Sequence, residues 1–99
     1  MTREIAPKIW IIADQDNVGT VVGNEAAAGA TIPMIGAVSG FIELQSPIPH
    51  GHKAALRALP SGANVVKYGV VIGRLVRPVR AGEHVHTHNL ESLRGRGDL

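Results

Sequence analysis

Four times along this chain a glycine stands three positions after one apolar residue and three positions before another. The copies are Ala26-Ala27-Ala28-Gly29-Ala30-Thr31-Ile32, Ile48-Pro49-His50-Gly51-His52-Lys53-Ala54, Leu59-Pro60-Ser61-Gly62-Ala63-Asn64-Val65 and Val79-Arg80-Ala81-Gly82-Glu83-His84-Val85. Each reads as a tight turn feeding a strand, with glycine supplying a positive φ and proline presetting φ at the second turn position. A chain that turns back so often leaves little room for long helices. The segments between turns are short and rich in β-branched residues: Lys8 to Ala13, Val18 to Val22, Phe41 to Leu44, Ala63 to Lys67, Val70 to Leu75 and His84 to His88. Gly, Pro, Asn or Asp bound each of them, as strands require. Residues 24 to 40 read as turns around a short apolar strand or loop. His52 to Leu59 is either a marginal helix stopped by Pro60 or a strand with Ala54, Leu56 and Ala58 inward. The expectation is an all-β fold.

With 99 residues the chain has length for one domain and one core: an N-terminal extension over 1–7, a domain over 8–90 and a flexible tail over 91–99. The 44 % hydrophobic and 18 % charged content argues against intrinsic disorder. The absence of cysteine excludes disulfides, thiolate metal sites and thiol nucleophiles. A net charge of +2, with Trp10, Phe41 and Tyr68 as the only aromatics, offers neither the basic face nor the stacking platform of a nucleic-acid binder. No apolar run reaches the roughly 18 residues of a membrane helix, and Ile9 to Ala13 is too short for a signal peptide's apolar core. The expected compartment is the cytoplasm, with no nucleic-acid or membrane partner. Arg96-Gly97-Asp98 in the tail is read as a coincidence, not an adhesion motif.

The chemistry lies in the histidines. His84, His86 and His88 alternate with Val85 and Thr87. On a strand they would share one face, about 6.5–7 Å apart per step, with Val85 toward the core. Imidazole near neutral pH serves as a metal ligand or as an acid/base group. A second cluster is His50-Gly51-His52-Lys53, where Gly51 turns the backbone and His52 and Lys53 can face one ligand; His50 reads as a bystander. Lys67 and Tyr68 follow a strand, where the lysine suits an anion and the phenol suits orienting a substrate. Gly69 and Gly73 read as turn or bulge positions. Asp16 and Asn17 read as turn caps, not metal ligands. Arg74, Arg77 and Arg80 form a solvated run or meet a partner.

Three segments, in order, carry a resemblance. They are Ile48-Pro49-His50-Gly51-His52-Lys53-Ala54-Ala55-Leu56, then Val66-Lys67-Tyr68-Gly69-Val70-Val71-Ile72-Gly73, then Ala81-Gly82-Glu83-His84-Val85-His86-Thr87-His88-Asn89, preceded by Asp16-Asn17-Val18. Together they resemble the SAF domain of altronate and galactarate dehydratases, and are similar to the small subunit of sulfolactate sulfo-lyase; residues 33–47 depart from the pattern. The resemblance implies a β-clip fold and a lyase that acts on a sugar acid or related hydroxy acid with a divalent metal, Fe2+ or Mn2+. It implies a separately encoded large dehydratase-like subunit, without which this chain is inactive. Homo-oligomers are compatible with it. On this reading His52, His86 and His88 are the catalytic candidates, and His86 and His88 are the metal ligands. Lys53, Lys67, Tyr68 and Asn89 are the substrate contacts. The rival expectation is a non-catalytic SAF-type binding module for an acidic sugar or an assembly partner.

Overall fold

The computed structural model describes residues 5–93, and the tail expected over 91–99 falls largely outside them, as does most of the extension over 1–7. Nine strands follow in order: β1 (Lys8–Ile11), β2 (Val18–Val22), β3 (Thr31–Gly36), β4 (Gly40–Glu43), β5 (Lys53–Ala55), β6 (Asn64–Lys67), β7 (Val70–Leu75), β8 (His84–Val85) and β9 (Leu90–Ser92). They form a six-stranded sheet in the order β4-β3-β1-β2-β5-β8 and a three-stranded sheet in the order β6-β7-β9. All pairings are antiparallel except β1 with β3. The fold is all-β, with curled sheets of the β-clip kind. No helix among the described residues is long and apolar enough to cross a membrane.

The four glycine copies fold alike. Gly29, Gly51, Gly62 and Gly82 have φ of 84°, 87°, 87° and 84°, and each turn is closed from the residue after glycine to the residue two before it. The N–H groups of Ala30, His52, Ala63 and Glu83 donate to the carbonyls of Ala27, Pro49, Pro60 and Arg80. Each glycine N–H also donates to a neighbouring segment, at Leu44, Val21, Leu75 or Ala55, always at 2.8 Å. Proline therefore occupies the first turn position, not the expected second. His50 and Ser61 take the second. The apolar residues that open the copies pair with one another, Ala26 with Ile48 and Leu59 with Val79. One local device, repeated four times, folds the chain back on itself.

Apolar alternation builds two adjoining cores. Ile9, Ile11, Val21, Ile32, Leu44 and Ile48 anchor the first; Val18, Ala55, Val65, Leu75, Val79 and Val85 anchor the second. Burying each larger aliphatic side chain contributes about 1.5–3 kcal/mol. β2 and β5 feed both cores, because Val18 and Val21, like Ala54 and Ala55, are an odd number of positions apart and point to opposite faces of their strand. Segment 52–59 is thus neither a helix nor a long strand: Lys53–Ala55 forms β5, and Leu59 makes an isolated bridge to Val79. β3 is a full strand within the stretch read as turns around a strand or loop, paired on both sides. Trp10 on the outer face is 46 % exposed, and its row continues across the sheet through Thr20 to Lys53.

Asp16 and Asn17 join the two sheets. Both are buried. The Asp16 carboxylate accepts from the N–H groups of Ala13 (3.2 Å), Tyr68 (3.0 Å) and Gly69 (2.8 Å). Asn17 accepts from Val66 N–H at 2.8 Å and donates to the Asn64 carbonyl at 2.9 Å. These bonds hold the β6–β7 hairpin, whose turn residues Tyr68 and Gly69 have φ of 57° and 73°. Two positive φ values mark the type I′ geometry that suits a two-residue hairpin, although a bulky residue such as tyrosine rarely adopts it.

Candidate functional site

The edge pair β5–β8 sets up the histidines. Lys53 faces Val85 and Ala54 faces His84, so one further step in this antiparallel register brings His52 opposite His86. Their rings stack with centroids 4.1 Å apart and planes 19° off parallel. His84 lies two residues before His86, on the same side of the buried Val85, and its ring is 5.4 Å from that of His86 and 5.0 Å from that of His52. His52 Nδ1 and His84 Nε2 are 2.8 Å apart, so one nitrogen carries a proton that the other accepts.

One ligand atom from each of His52, His84 and His86 lies within 4.8 Å of the others, and the three can hold a metal ion. Two nitrogens bound to one ion at about 2.1 Å would be about 3.0–3.4 Å apart, close to the observed His52–His84 separation. The electrostatics agree. The His84 ring is held down to about 4, first by burial and then by repulsion from His52, His88, His86 and Lys53. His86 is lowered too, by burial and then by His52, Lys53 and His88. Neutral imidazoles keep the lone pairs that a metal needs.

This trio differs from the expected ligand pair. The strand expected over His84–His88 stops at Val85, so the alternation carries only as far as His86. The backbone then turns: Asn89 N–H and Leu90 N–H both donate to the His86 carbonyl, at 3.1 and 2.9 Å. His88 falls outside the trio, exposed, with its ring tilted 44° against His84. His84, left out of the expected ligands, is inside. Asn89, expected as a substrate contact, is wholly buried with its amide bonded to the backbone. Its amide accepts from His86 N–H at 2.9 Å and donates to the His84 carbonyl at 2.9 Å, so it ends β8 and fixes the two histidines that flank Val85. His50 lies away from the cluster, its Nδ1 3.1 Å from both the N and the O of Gly23.

Beside the trio opens a groove of about 370 Å³, with apolar walls from Val70, Val71, Ile72, Leu90 and Leu93 and polar lining from Lys53, His86, Thr87 and Ser92. Such a volume suits a small ligand. The Lys53 ammonium is lowered by burial and then by repulsion from Lys67. Lys67, whose strand partner Val70 lines the groove, rests its ammonium 4.6 Å from the centre of the Tyr68 ring. Lys53 and His86 line the groove, His52 stacks on His86 behind it, and Lys67 and Tyr68 lie on the β6–β7 hairpin next to the lining residue Val70. Of the arginines expected in a run, Arg74 pairs with Glu91 at 3.6 Å.

Comparison with known proteins gives the family. The family model described as the altronate/galactarate dehydratase SAF domain matches residues 7–93. The (2R)-sulfolactate sulfo-lyase subunit alpha of Chromohalobacter salexigens is 37 % identical over 95 residues, covering 86 % of this chain and 95 % of that subunit. The galactarate dehydratase (L-threo-forming) of Escherichia coli is 36 % identical over 86 residues, covering 84 % of this chain but 15 % of that enzyme. The altronate dehydratase of the same organism is 46 % identical over 48 residues, 10 % of its length. The chain thus spans nearly all of a sulfo-lyase subunit and a small part of each dehydratase, and it belongs to the altronate/galactarate dehydratase SAF domain family.

Proposed function

We propose that this chain is the small subunit of a metal-dependent lyase that removes water or sulfite from a hydroxylated carboxylic acid, such as altronate, galactarate or sulfolactate. The site would be completed by a separately encoded large subunit. The observation that carries this reading is the His52–His84–His86 trio opening beside Lys53 onto a groove of small-molecule size. A relative of nearly the same extent that is named as one subunit of a lyase supports it.

Elimination from such an acid starts with loss of a proton beside a carboxylate, a step made difficult by the charge that accumulates on the substrate. A divalent ion, Fe2+ or Mn2+, held by His52, His84 and His86 would supply Lewis-acid stabilisation of that charge. Lys53 and Lys67 would hold an acidic group by charge, and Tyr68 would orient the substrate beside them. His88, at the solvent-exposed rim, would exchange protons as an acid/base group. Asn89 positions His84 and His86 through their backbones.

The test is to assemble the chain with a large dehydratase-like subunit, load Fe2+ or Mn2+, and assay altronate, galactarate and (2R)-sulfolactate. One of them should turn over, with the isolated chain inactive. His52→Gln or His86→Gln should cut turnover by roughly 100-fold and lower the metal content. Wild-type turnover and metal content in both variants would refute the assignment.

A further inference from the structure

We infer that a continuous apolar band, running from the outer face of the six-stranded sheet over the tip of the β6–β7 hairpin to the groove, is the surface on which the large subunit docks. This rests on the lyase reading and deepens it, by naming the surface through which the partner reaches the trio.

Among the described residues eight large apolar side chains are exposed, and six of them fall on this band. Phe41, 73 % exposed, faces Pro33 across the β3–β4 ladder, and two residues farther along β3, Ile35 faces Trp10. Ile9, Ile11, Ile32 and Ile42 point into the first core. Alternation therefore puts Phe41, Pro33, Ile35 and Trp10 on the opposite, outer face, with Ile12 just past the end of β1. This part of the band crosses three strands, about 10 Å. It then passes to the second sheet. The Asp16 carboxylate binds the N–H groups of Ala13 and of Tyr68 and Gly69 together, and a methyl added at Gly69 would lie 3.7 Å from the Ala13 Cβ. Tyr68, Val70 and Val71 continue the band, all exposed, and the two valines line the groove beside Lys53 and His86.

Single apolar residues are ordinary on a protein surface, but a band that crosses three strands and a hairpin tip marks an interface. Tryptophan and tyrosine are the side chains that most often anchor one. Two features identify the occupant. The band ends at the groove beside the trio, so whatever covers it also sits over Lys53 and His86, where the site calls for its second subunit. The charge along it is also self-repelling. Lys8 shares the outer face with Trp10, Lys53 ends the row from Trp10 through Thr20, and Lys67 adjoins Tyr68; these three outnumber Asp14 and Glu43, the carboxylates that border the band. The groove lining holds a lysine and no carboxylate. Two copies of the chain meeting through the band would oppose those cations, whereas a different protein with an apolar centre and an acidic rim would match them. Tyr68 fits the same role. Its φ of 57° is a strained conformation for a bulky residue, of the kind kept at functional positions. The Asp16 carboxylate holds the turn there, and the ring is presented outward at the tip, where a partner can bury it.

The experiment measures the affinity of the full chain for a large dehydratase-like subunit by calorimetry, with the chain alone followed by analytical ultracentrifugation. The chain alone should be a monomer. Trp10→Thr should weaken the complex about 30-fold or more, and Phe41→Ser and Ile12→Thr about tenfold each. All three should melt within about 4 °C of the wild type, because the residues are exposed; Phe41→Ser, at the most exposed position, decides the matter if Trp10→Thr does not fold. Val76→Thr is the control. It is as exposed as Trp10 but lies at the far end of β7 from the hairpin tip, and it should leave the affinity unchanged. A complex whose affinity none of the three band variants alters overturns the docking surface and leaves the lyase reading intact. A complex that the band variants weaken but that turns over none of the three acids overturns the lyase reading while the docking surface stands. A dimer of the chain alone that Trp10→Thr dissociates assigns the band to a second copy and overturns the inference, and failure of the wild-type chain to bind the large subunit overturns both.

Discussion

Replacing Asp16 by asparagine tests the bond set that joins the two sheets. The carboxylate accepts three backbone N–H groups, two on Oδ2 from Ala13 and Tyr68 and one on Oδ1 from Gly69. Asparagine has one acceptor oxygen. Its better orientation keeps that oxygen on Ala13 and Tyr68 and turns the amide NH2 toward the Gly69 N–H, so one charge-assisted bond is lost and two donors oppose each other. A hydrogen bond to a charged group is worth about 1.5–3 kcal/mol, and the two surviving bonds lose their charge assistance. The sum is about 2–4 kcal/mol, softened toward the lower figure because Tyr68 and Gly69 are solvent-exposed. For a domain of this size that corresponds to roughly 8–16 °C in melting temperature at the lower figure. Far-UV circular dichroism melts give the stability, and the Tyr68 and Gly69 amide signals report on the hairpin directly. An asparagine variant that melts within about 2 °C of the wild type, with those signals unmoved, would refute the account of Asp16 as the tie between the sheets.

Two glycines at equivalent turn positions should behave differently. Gly51→Ala meets only its positive φ, with open space around the added methyl, and should cost about 1–2 kcal/mol; Gly82→Ala has the same φ but drives the methyl into the Glu43 carbonyl oxygen and should cost about 3 kcal/mol or more in urea denaturation. Acid should destabilise the fold through His84. Its folded value of about 4 lies below the ordinary 6.5, so the unfolded chain takes up the proton first and stability falls as pH drops from 6.5 to 4. The loss attributable to His84 should be about 1–2 kcal/mol after solvent screening, and His84→Gln should remove that part of the pH dependence in melts across this range. Asn89→Ala should cost about 2–4 kcal/mol, through two lost backbone bonds and a buried gap, and should weaken metal binding by roughly 10–100-fold in a calorimetric titration.

The sequence speaks clearly where structure is local. The β-branched runs Val18–Val22 and Val70–Leu75 form strands with those bounds, because each is enclosed by residues that break strands. The four glycine turns are legible because all their determinants lie within seven residues. Val85 is recognisable as a core residue because the alternation around it has period two. β3 is harder to read, since Pro33 and the flanking Ala and Gly residues mask a strand whose pairing with β1 is parallel and remote. The site is half legible. His52, His86, Lys53 and Lys67 carry their chemistry in their residue types, but the trio depends on the register between β5 and β8, which no local pattern displays. His88 is misplaced by a strand-length reading, because the Asn89 amide turns the backbone two residues sooner than alternation suggests. That same hydrogen-bonding capacity makes Asn89 resemble a substrate contact in the sequence, and only its burial separates the two roles.

The position of Trp10 makes the molecule its own fluorescent reporter. As the single tryptophan, half in water and half against the sheet, it contributes all of the indole emission, with no background to subtract. Unfolding would expose the ring fully and move its emission to longer wavelength. Coverage of the outer face by another molecule would dry the ring and move it the other way. Because the row from Trp10 runs through Thr20 to Lys53, the reporter shares a cross-strand row with a residue that lines the groove, so denaturation and association can be followed in one unlabelled sample by the opposite signs of their spectral shifts.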